Sequence, residues 1–220
     1  TSPSLICVEL ELLASSSSSR AFGAASQFGV GLSETPGGNL VEVRRLFQFG
    51  GALDAGDTFV LEGTVGERDA DRRVQRADGT LYMTARSRHK KKRRAYALSH
   101  DGGHSWLPAQ YDDRLPEPSC QGSILRLSQQ GSGQKNRIVL AHPANPGSRT
   151  QMTVRLSYDE CQSWPVSKVI HAGASAYSDL ARNKAGEILL AFEKDGYTQI
   201  SLVRVNLEWL TDGRDQFEPL

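Results

Sequence analysis

Two histidines and an aspartate lie within the octapeptide SHDGGHSW, Ser99 to Trp106, and imidazole and carboxylate groups this close together are the side-chain types that bind a divalent metal. The same letters also fit a β-hairpin corner. There the carboxylate of Asp101 accepts backbone N–H groups of its own turn, Gly103 supplies a backbone conformation with φ above zero, and Trp106 buries its ring against the sheet. A second octapeptide, SYDECQSW from Ser157 to Trp164, repeats Ser, Asp, Ser and Trp at the same offsets, with Asp159 following Asp101 by 58 residues (159 − 101). It has no histidine at either position, so the structural corner is favoured and neither a metal nor a cofactor is expected. In this second copy Cys161 stands where Gly103 stands in the first, which predicts a strained or differently shaped turn. The three cysteines, Cys7, Cys120 and Cys161, are an odd number without CxxC spacing, which argues against a disulfide framework or a zinc knot.

The elements that must carry these corners are strands. From about residue 65 onward the segments TLYMTARS, RAYALSH, SILRL, RIVLAHP, MTVRLSY, KVIHAG, YSDLAR, EILLAFE and QISLVRVNL are short, rich in β-branched, aromatic and leucine residues, and separated by turn signals. No window of helical length interrupts them. RAYAL precedes the first octapeptide and MTVRL the second, as a hairpin corner requires. Before residue 65 the chain is rich in small and turn residues (SSSSSR, GAASQFGVG, ETPGG), with LVEV and TFVLEG as short strand candidates. We therefore expect an all-β chain with a boundary between residues 1–64, irregular or a partial sheet unit, and 65–220, a repeating one.

Bulk composition removes several classes. With 26 basic and 25 acidic residues in 220, and 38% hydrophobic residues, the chain reads as an ordinary globular one with no field for nucleic acid. LICVELELLA carries Glu9 and Glu11 and lacks a preceding cationic segment, so it fits neither a signal peptide nor a transmembrane segment. The first residue is Thr1 rather than Met, which suggests a processed form or a fragment. The run HKKKRR, His89 to Arg94, fits a nuclear signal or a polyanion contact, but a solvated hairpin loop is the expected reading. Trp209 is expected to cap the last strand.

The paired octapeptides resemble the Asp boxes of the sialidase (neuraminidase) family, with Ser99, Asp101, Gly103, Trp106, Ser157, Asp159 and Trp164 as their structural residues. SAYSDLARNKAGEILLAFE is similar to the segment holding the tyrosine nucleophile of that family and a glutamate on the next strand. The match makes these Tyr177 and Glu193, 16 residues apart (193 − 177). TARS resembles the family's N-A-R-S strand, with Thr84 where Asn is usual, and implies Arg86 as the second arginine of a triad. HPANPGSR resembles the segment of the third, Arg149, and EPSCQGSIL the loop and strand between them. The likeness covers about residues 64 to 207.

The resemblance implies a six-bladed β-propeller, of which this chain supplies about three to four blades, since such a propeller needs roughly 350 residues at about 55–60 per blade. It also implies an exo-α-sialidase that releases terminal sialic acid from glycoproteins, gangliosides or oligosaccharides with retention of configuration. In that chemistry Arg86 and Arg149 hold the sugar carboxylate. A neutral phenol, unlike a carboxylate nucleophile, is not repelled by it. A phenol titrates near about 10, so Tyr177 needs a base to take its proton. The family's spacing implies Glu67 for this, 19 residues before Arg86 (86 − 67) and following Gly66, with Asp69 and Asp71 as substitutes. Glu193 resembles the glutamate that orients the first arginine. The patterns of that first arginine and of the acid/base aspartate do not occur in residues 1 to 65, where Arg20, Arg44 and Arg45 lack the surrounding motif. The chain is thus read either as the C-terminal part of a sialidase or as a degenerate relative. The alternative functions are a catalytically inactive sialic-acid or carbohydrate-binding propeller and an Asp-box interaction scaffold. The implied partner is a sialylated glycan.

Overall fold

Short runs of β-branched and aromatic residues broken by Gly, Asp, Asn and Ser form strands and tight turns because branched side chains pack well on a pleated surface while the turn residues accept the tight backbone path. The computed structural model describes residues 5–11, 29–34, 41–46, 73–87, 90–131, 134–183 and 185–217, the first three segments by backbone alone. The strands are β1 (Leu5–Glu11), β2 (Gly29–Glu34), β3 (Val41–Leu46), β4 (Arg73–Gln75), β5 (Leu81–Ala85), β6 (Arg93–Ser99) and β7 (Gln110–Pro116). They continue with β8 (Ser123–Ser128), β9 (Arg137–Pro143), β10 (Thr150–Ser157), β11 (Val166–Arg182), β12 (Ile188–Lys194) and β13 (Gln199–Val205). One short helix follows, α1 (Leu207–Leu210).

β4 to β7 form an antiparallel four-stranded sheet in sequence order. A seven-stranded sheet runs β1-β13-β12-β11-β10-β9-β8. It contains two four-stranded units that share one strand. The first half of β11, up to Ala174, pairs with β10, and the second half, from Ser175, pairs with β12. KVIHAG and YSDLAR, two strands by sequence pattern, are thus one strand. The small residues Ala172, Gly173, Ala174, Ser175 and Ala176 let it pass from one unit to the next without side-chain obstruction. β1 covers the outer edge of β13, with Leu5 opposite Val205 and Glu11 opposite Gln199, so the edge of the last unit is paired. The hairpin β2–β3 lies against β11 and β12. The expected boundary near residue 65 lies outside the described residues.

Burial follows strand position. β9 is buried at all of its residues, as a central strand sandwiched on both faces is, whereas β5 alternates, with Tyr82 and Thr84 inward. One apolar cluster joins the two units of the large sheet through Val139, Met152, Val154, Leu156, Leu180, Leu190, Phe192 and Val203, and each such side chain contributes about 1.5–3 kcal/mol when fully buried. A second cluster lies between β4–β7 and β8–β9 and includes Val74, Tyr82, Leu115, Ile138 and Trp164. Trp209, expected to cap the last strand, instead sits on α1, where Asn206 Oδ1 caps its backbone N–H at 2.9 Å and the Lys168 ammonium lies 4.3 Å above its ring.

Two buried polar groups lock the units. Arg137 donates to both oxygens of Asp215 at 2.7 Å, and Tyr158 Oη donates to the same carboxylate at 2.9 Å. Burial favours the neutral acid, but these bonds hold Asp215 below the usual carboxylate range. His142 is wholly buried on β9. Its Nδ1 lies 2.9 Å from the Pro143 carbonyl, which can only accept, so Nδ1 carries the proton, and Nε2 accepts from Arg155 Nε at 3.2 Å. The imidazole is therefore neutral. Burial first, then the positive charges of Arg94 and Arg155, hold it well below the ordinary imidazole value.

The consequence is acid sensitivity. The folded-state value is depressed, so the contribution of His142 is complete above the unfolded value of about 6.5 and is lost as pH falls below it, at up to about 1.4 kcal/mol per pH unit. Urea unfolding followed from about pH 7.5 down to about pH 5 is expected to show this slope. A stability flat across that window would count against a neutral, buried His142.

Candidate functional site

The side chains that meet at the candidate site come from different strands. Arg86 follows β5, Arg149 precedes β10, Tyr177 lies on β11 and Glu193 on β12. The register places Ser175 opposite Lys194 and Ser178 opposite Phe192, so Ala176 and Tyr177 together oppose Glu193. This is a β-bulge, which re-aims a side chain and leaves a backbone N–H outside the ladder. Glu193 Oε2 accepts that N–H of Tyr177 at 3.1 Å. Burial raises the pKa of Glu193, against the opposing effects of the Tyr177 N–H and the charge of Arg149.

The bulge aims Tyr177 at the two arginines. Arg86 Nη1 donates to Tyr177 Oη at 3.2 Å, and the Arg149 guanidinium lies 5.3 Å from the centre of the Tyr177 ring. Arg149 is held from two sides: Nη1 donates to Tyr197 Oη at 2.6 Å and Nη2 to the Ser119 carbonyl at 3.3 Å. Each guanidinium has five N–H donors, so both keep donors for an external anion. A half-buried tyrosine with one guanidinium at its phenol oxygen and a second over its ring suits the binding of an anion beside it.

The segment EPSCQGS supports this arrangement from beneath. Glu117, fully buried, accepts Ser87 N–H at 2.9 Å and Cys120 N–H at 2.7 Å, so one carboxylate ties the residue after Arg86 to the loop that touches Arg149. Arg94, also buried, donates to Thr84 Oγ1 at 2.9 Å and to the Cys120 carbonyl at 3.0 Å. Gln121 exchanges two hydrogen bonds with the backbone of Ser178, one residue past Tyr177, each at 2.9 Å. Gly122 is sterically required, since a Cβ there would lie 2.7 Å from the Ala141 carbonyl oxygen and 2.8 Å from His142 Cβ. Cys120 is buried beside this network, and burial pushes its thiol up to about 12, so it stays neutral.

Tyr197 was not singled out from sequence. Asp195, Gly196 and Tyr197 all adopt left-handed backbone (φ 49, 69 and 72°), which folds the β12–β13 turn back toward Arg149. The DG pair signals a turn, but nothing local says what the following tyrosine reaches. Nothing in EPSCQGS by itself points to the roles of Glu117 and Gln121, because Ser87 and Ser178, whose backbone groups they hold, are 30 and 57 residues away.

In the octapeptides, Ser105 N and Ser163 N donate to Asp101 Oδ1 and Asp159 Oδ1 at 2.9 and 2.7 Å, and Gly103 N and Cys161 N donate to Ser99 Oγ and Ser157 Oγ at 2.8 and 2.9 Å. The two turns take the same path although the second has no glycine: φ is 73 and 96° at Gly102 and Gly103, and 62 and 69° at Glu160 and Cys161. The strained Glu160 is held by partners, because Arg126 Nη1 donates to it at 2.8 Å and Ala77 N, in the adjacent four-stranded sheet, at 2.9 Å. Trp106 and Trp164 are buried. Among the described residues, no group of three His, Cys, Asp or Glu side chains is placed to hold a metal ion, and no helix is long and apolar enough to cross a membrane. Glu67, Asp69, Asp71 and Arg20 lie outside the described residues, and Arg44 and Arg45 lie on β3, where only the backbone is described.

Residues 72–190 match the BNR repeat-like domain family. The chain is 33% identical over 200 residues to a sialidase of Micromonospora viridifaciens, in an alignment covering 85% of this chain and 31% of that protein. It is 31% identical over 159 residues to an exo-alpha-sialidase of Aspergillus fumigatus, covering 64% of this chain and 37% of that protein. It therefore spans about a third of the length of these relatives. Among solved structures, the NanB sialidase of Streptococcus pneumoniae superposes with a TM-score of 0.55 at 22% identity, covering 64% of this chain and 23% of that one. The intramolecular trans-sialidase of Ruminococcus gnavus does so with 0.55 at 20%, covering 83% and 37%. The four-stranded units are thus blades of a β-propeller that the described residues fill only in part.

Proposed function

Because the chain belongs to the sialidase family with BNR repeats, we propose that it carries the carboxylate-binding and nucleophilic part of an exo-α-sialidase acting on terminal sialic acid of glycoproteins, gangliosides or oligosaccharides. The observation that carries this reading is the phenol of Tyr177, hydrogen-bonded by Arg86 and lying beside the Arg149 guanidinium. Arg86 and Arg149 take the sugar carboxylate. Tyr177 Oη attacks the anomeric carbon while its proton passes to Glu67, with Asp69 or Asp71 as substitutes; the bond to the aglycone oxygen breaks, and that oxygen takes a proton from the acid/base aspartate that the family implies. Water then hydrolyses the tyrosyl glycoside, and the configuration is retained. Glu193 positions the nucleophile through the bulge.

A fluorogenic sialoside, incubated with this chain and with any longer protein that contains it, tests the reading. Turnover supports it. Sialic-acid binding without turnover points to a carbohydrate-binding propeller, and neither one to a scaffold. Within this reading Tyr197→Phe removes the acceptor that holds Arg149 Nη1, a loss of about 1–1.5 kcal/mol, and is expected to raise KM about tenfold with kcat within a factor of about two. A fall in kcat at unchanged KM would show that the hydroxyl acts elsewhere.

A further inference from the structure

The basic run beside Arg86 is not used by the mechanism, and its placement gives it a role. Arg86 follows β5 and Arg93 opens β6, its antiparallel neighbour, so Lys90–Lys92, just before β6, stand at the same end of the sheet as the candidate site. Lys90 lies four positions after Arg86 (90 − 86), so their Cα atoms are at most about 14 Å apart. The turn is anchored at both ends by the group that supports the site: Glu117 accepts Ser87 N–H at 2.9 Å, and Glu117 N–H donates to the Lys92 carbonyl at 3.1 Å. Ser119 Oγ donates to the Ser87 carbonyl, and Ser119's own carbonyl accepts from Arg149.

Lys90, Lys91 and Lys92 are exposed, with Lys92 at a left-handed φ of 54°. Lys91 lies 5.1 Å above the Tyr111 ring, and Arg93 is 3.9 Å from Asp113. Among the described residues no carboxylate lies within ion-pair distance of Lys90 or Lys92. Several ammonium groups a few residues from Arg86 raise the local positive potential, and Lys, unlike Arg, acts as a mobile point charge suited to an anion of variable position.

We propose that the turn Lys90–Lys92 is a subsite for a second anionic sugar, so that the site prefers glycans with consecutive acidic sugars over those ending in a single sialic acid. This rests on the sialic-acid reading above, in which Arg86 and Arg149 already account for the terminal carboxylate. A nucleic acid fits less well, because the chain as a whole is nearly neutral at +1. A membrane surface also fits less well, because the exposed large apolar residues described, Leu107, Val169 and Tyr197, lie outside the turn.

The test is titration calorimetry of the full chain with a monosialylated trisaccharide and with a short chain of linked sialic acids, at about 0.05 and about 0.3 M NaCl. Wild type is expected to bind the oligosialic chain about tenfold more tightly at low salt, with most of that advantage lost at high salt. Lys90→Gln/Lys92→Gln, at two exposed positions, is expected to abolish the advantage while leaving the monosialylated affinity within a factor of about two. An advantage that persists in the double variant, or none in wild type, overturns the subsite. So does equal lysine-dependent binding of phosphatidylserine vesicles or of a sulfated glycan without sialic acid. Binding of the monosialylated sugar without an oligosialic advantage removes the subsite and leaves the proposed function standing. Lysine-dependent oligosialic binding with no binding or turnover of the monosialylated sugar removes the proposed function instead.

Discussion

Tyr177→Phe is expected to lower sialoside turnover by on the order of 10³-fold or more while leaving substrate affinity within a few-fold. The ring that packs beside Arg149 stays, so the carboxylate site is preserved, and only the oxygen that receives the Arg86 Nη1 bond is lost. Steady-state kinetics with a fluorogenic sialoside, alongside calorimetry with free sialic acid, separates the two terms. Activity retained within tenfold would show that Tyr177 is a packing residue and that the nucleophile lies elsewhere. The bulge itself is set by the backbone bond from Tyr177 N to Glu193, which the substitution does not touch, so the comparison reports on chemistry rather than on local unfolding.

Glu117→Ala is expected to have the largest effect on stability. The carboxylate is fully buried, accepts two buried backbone N–H groups, and its charge favours the ionised form of the buried Arg94. Removing it leaves a guanidinium in the interior without its counter-charge, at a cost of about 3–5 kcal/mol, or a fall in Tm of roughly 10 °C for a chain of this size. Because Ser87 and the Ser119–Cys120 loop are released together, sialic-acid affinity should fall with stability, whereas Glu117→Gln, which keeps the shape and one acceptor, should lose less of both. Thermal unfolding of the three proteins with matched binding titrations decides it. A Tm unchanged within about 2 °C would show that the carboxylate ties nothing.

Much of the architecture was legible in the chain because it is local. Strand runs such as RIVLAHP and EILLAFE carry their own β-branched and leucine content, and the octapeptide corners carry their own donors and acceptors in Ser99, Asp101 and Ser105. QYDDRLP was not recognised as β7, since its aspartates disfavour strand until Asp112 is paired with Arg114. LICVELELLA was not recognised as β1, since what makes it a strand is the edge of β13, almost two hundred residues away. β11 was divided in two, because a continuous strand that changes partners leaves no mark except its small residues.

The same division holds at the site. Residue types and spacing by themselves determined that the chain is all-β and that its corners repeat, whereas Arg86, Arg149, Tyr177 and Glu193 stood out through a resemblance to one family's segments. Only the tertiary structure decided what these residues touch. Whether Tyr177 faces Arg86 depends on a bulge in the pairing of β11 with β12, and Arg149 is held by Tyr197 and Ser119, one from each of two other segments. A sequence pattern records which groups are present. It does not record the long-range register and the buried carboxylate of Glu117 that bring them within hydrogen-bond reach, because those contacts form only when distant segments share one interior.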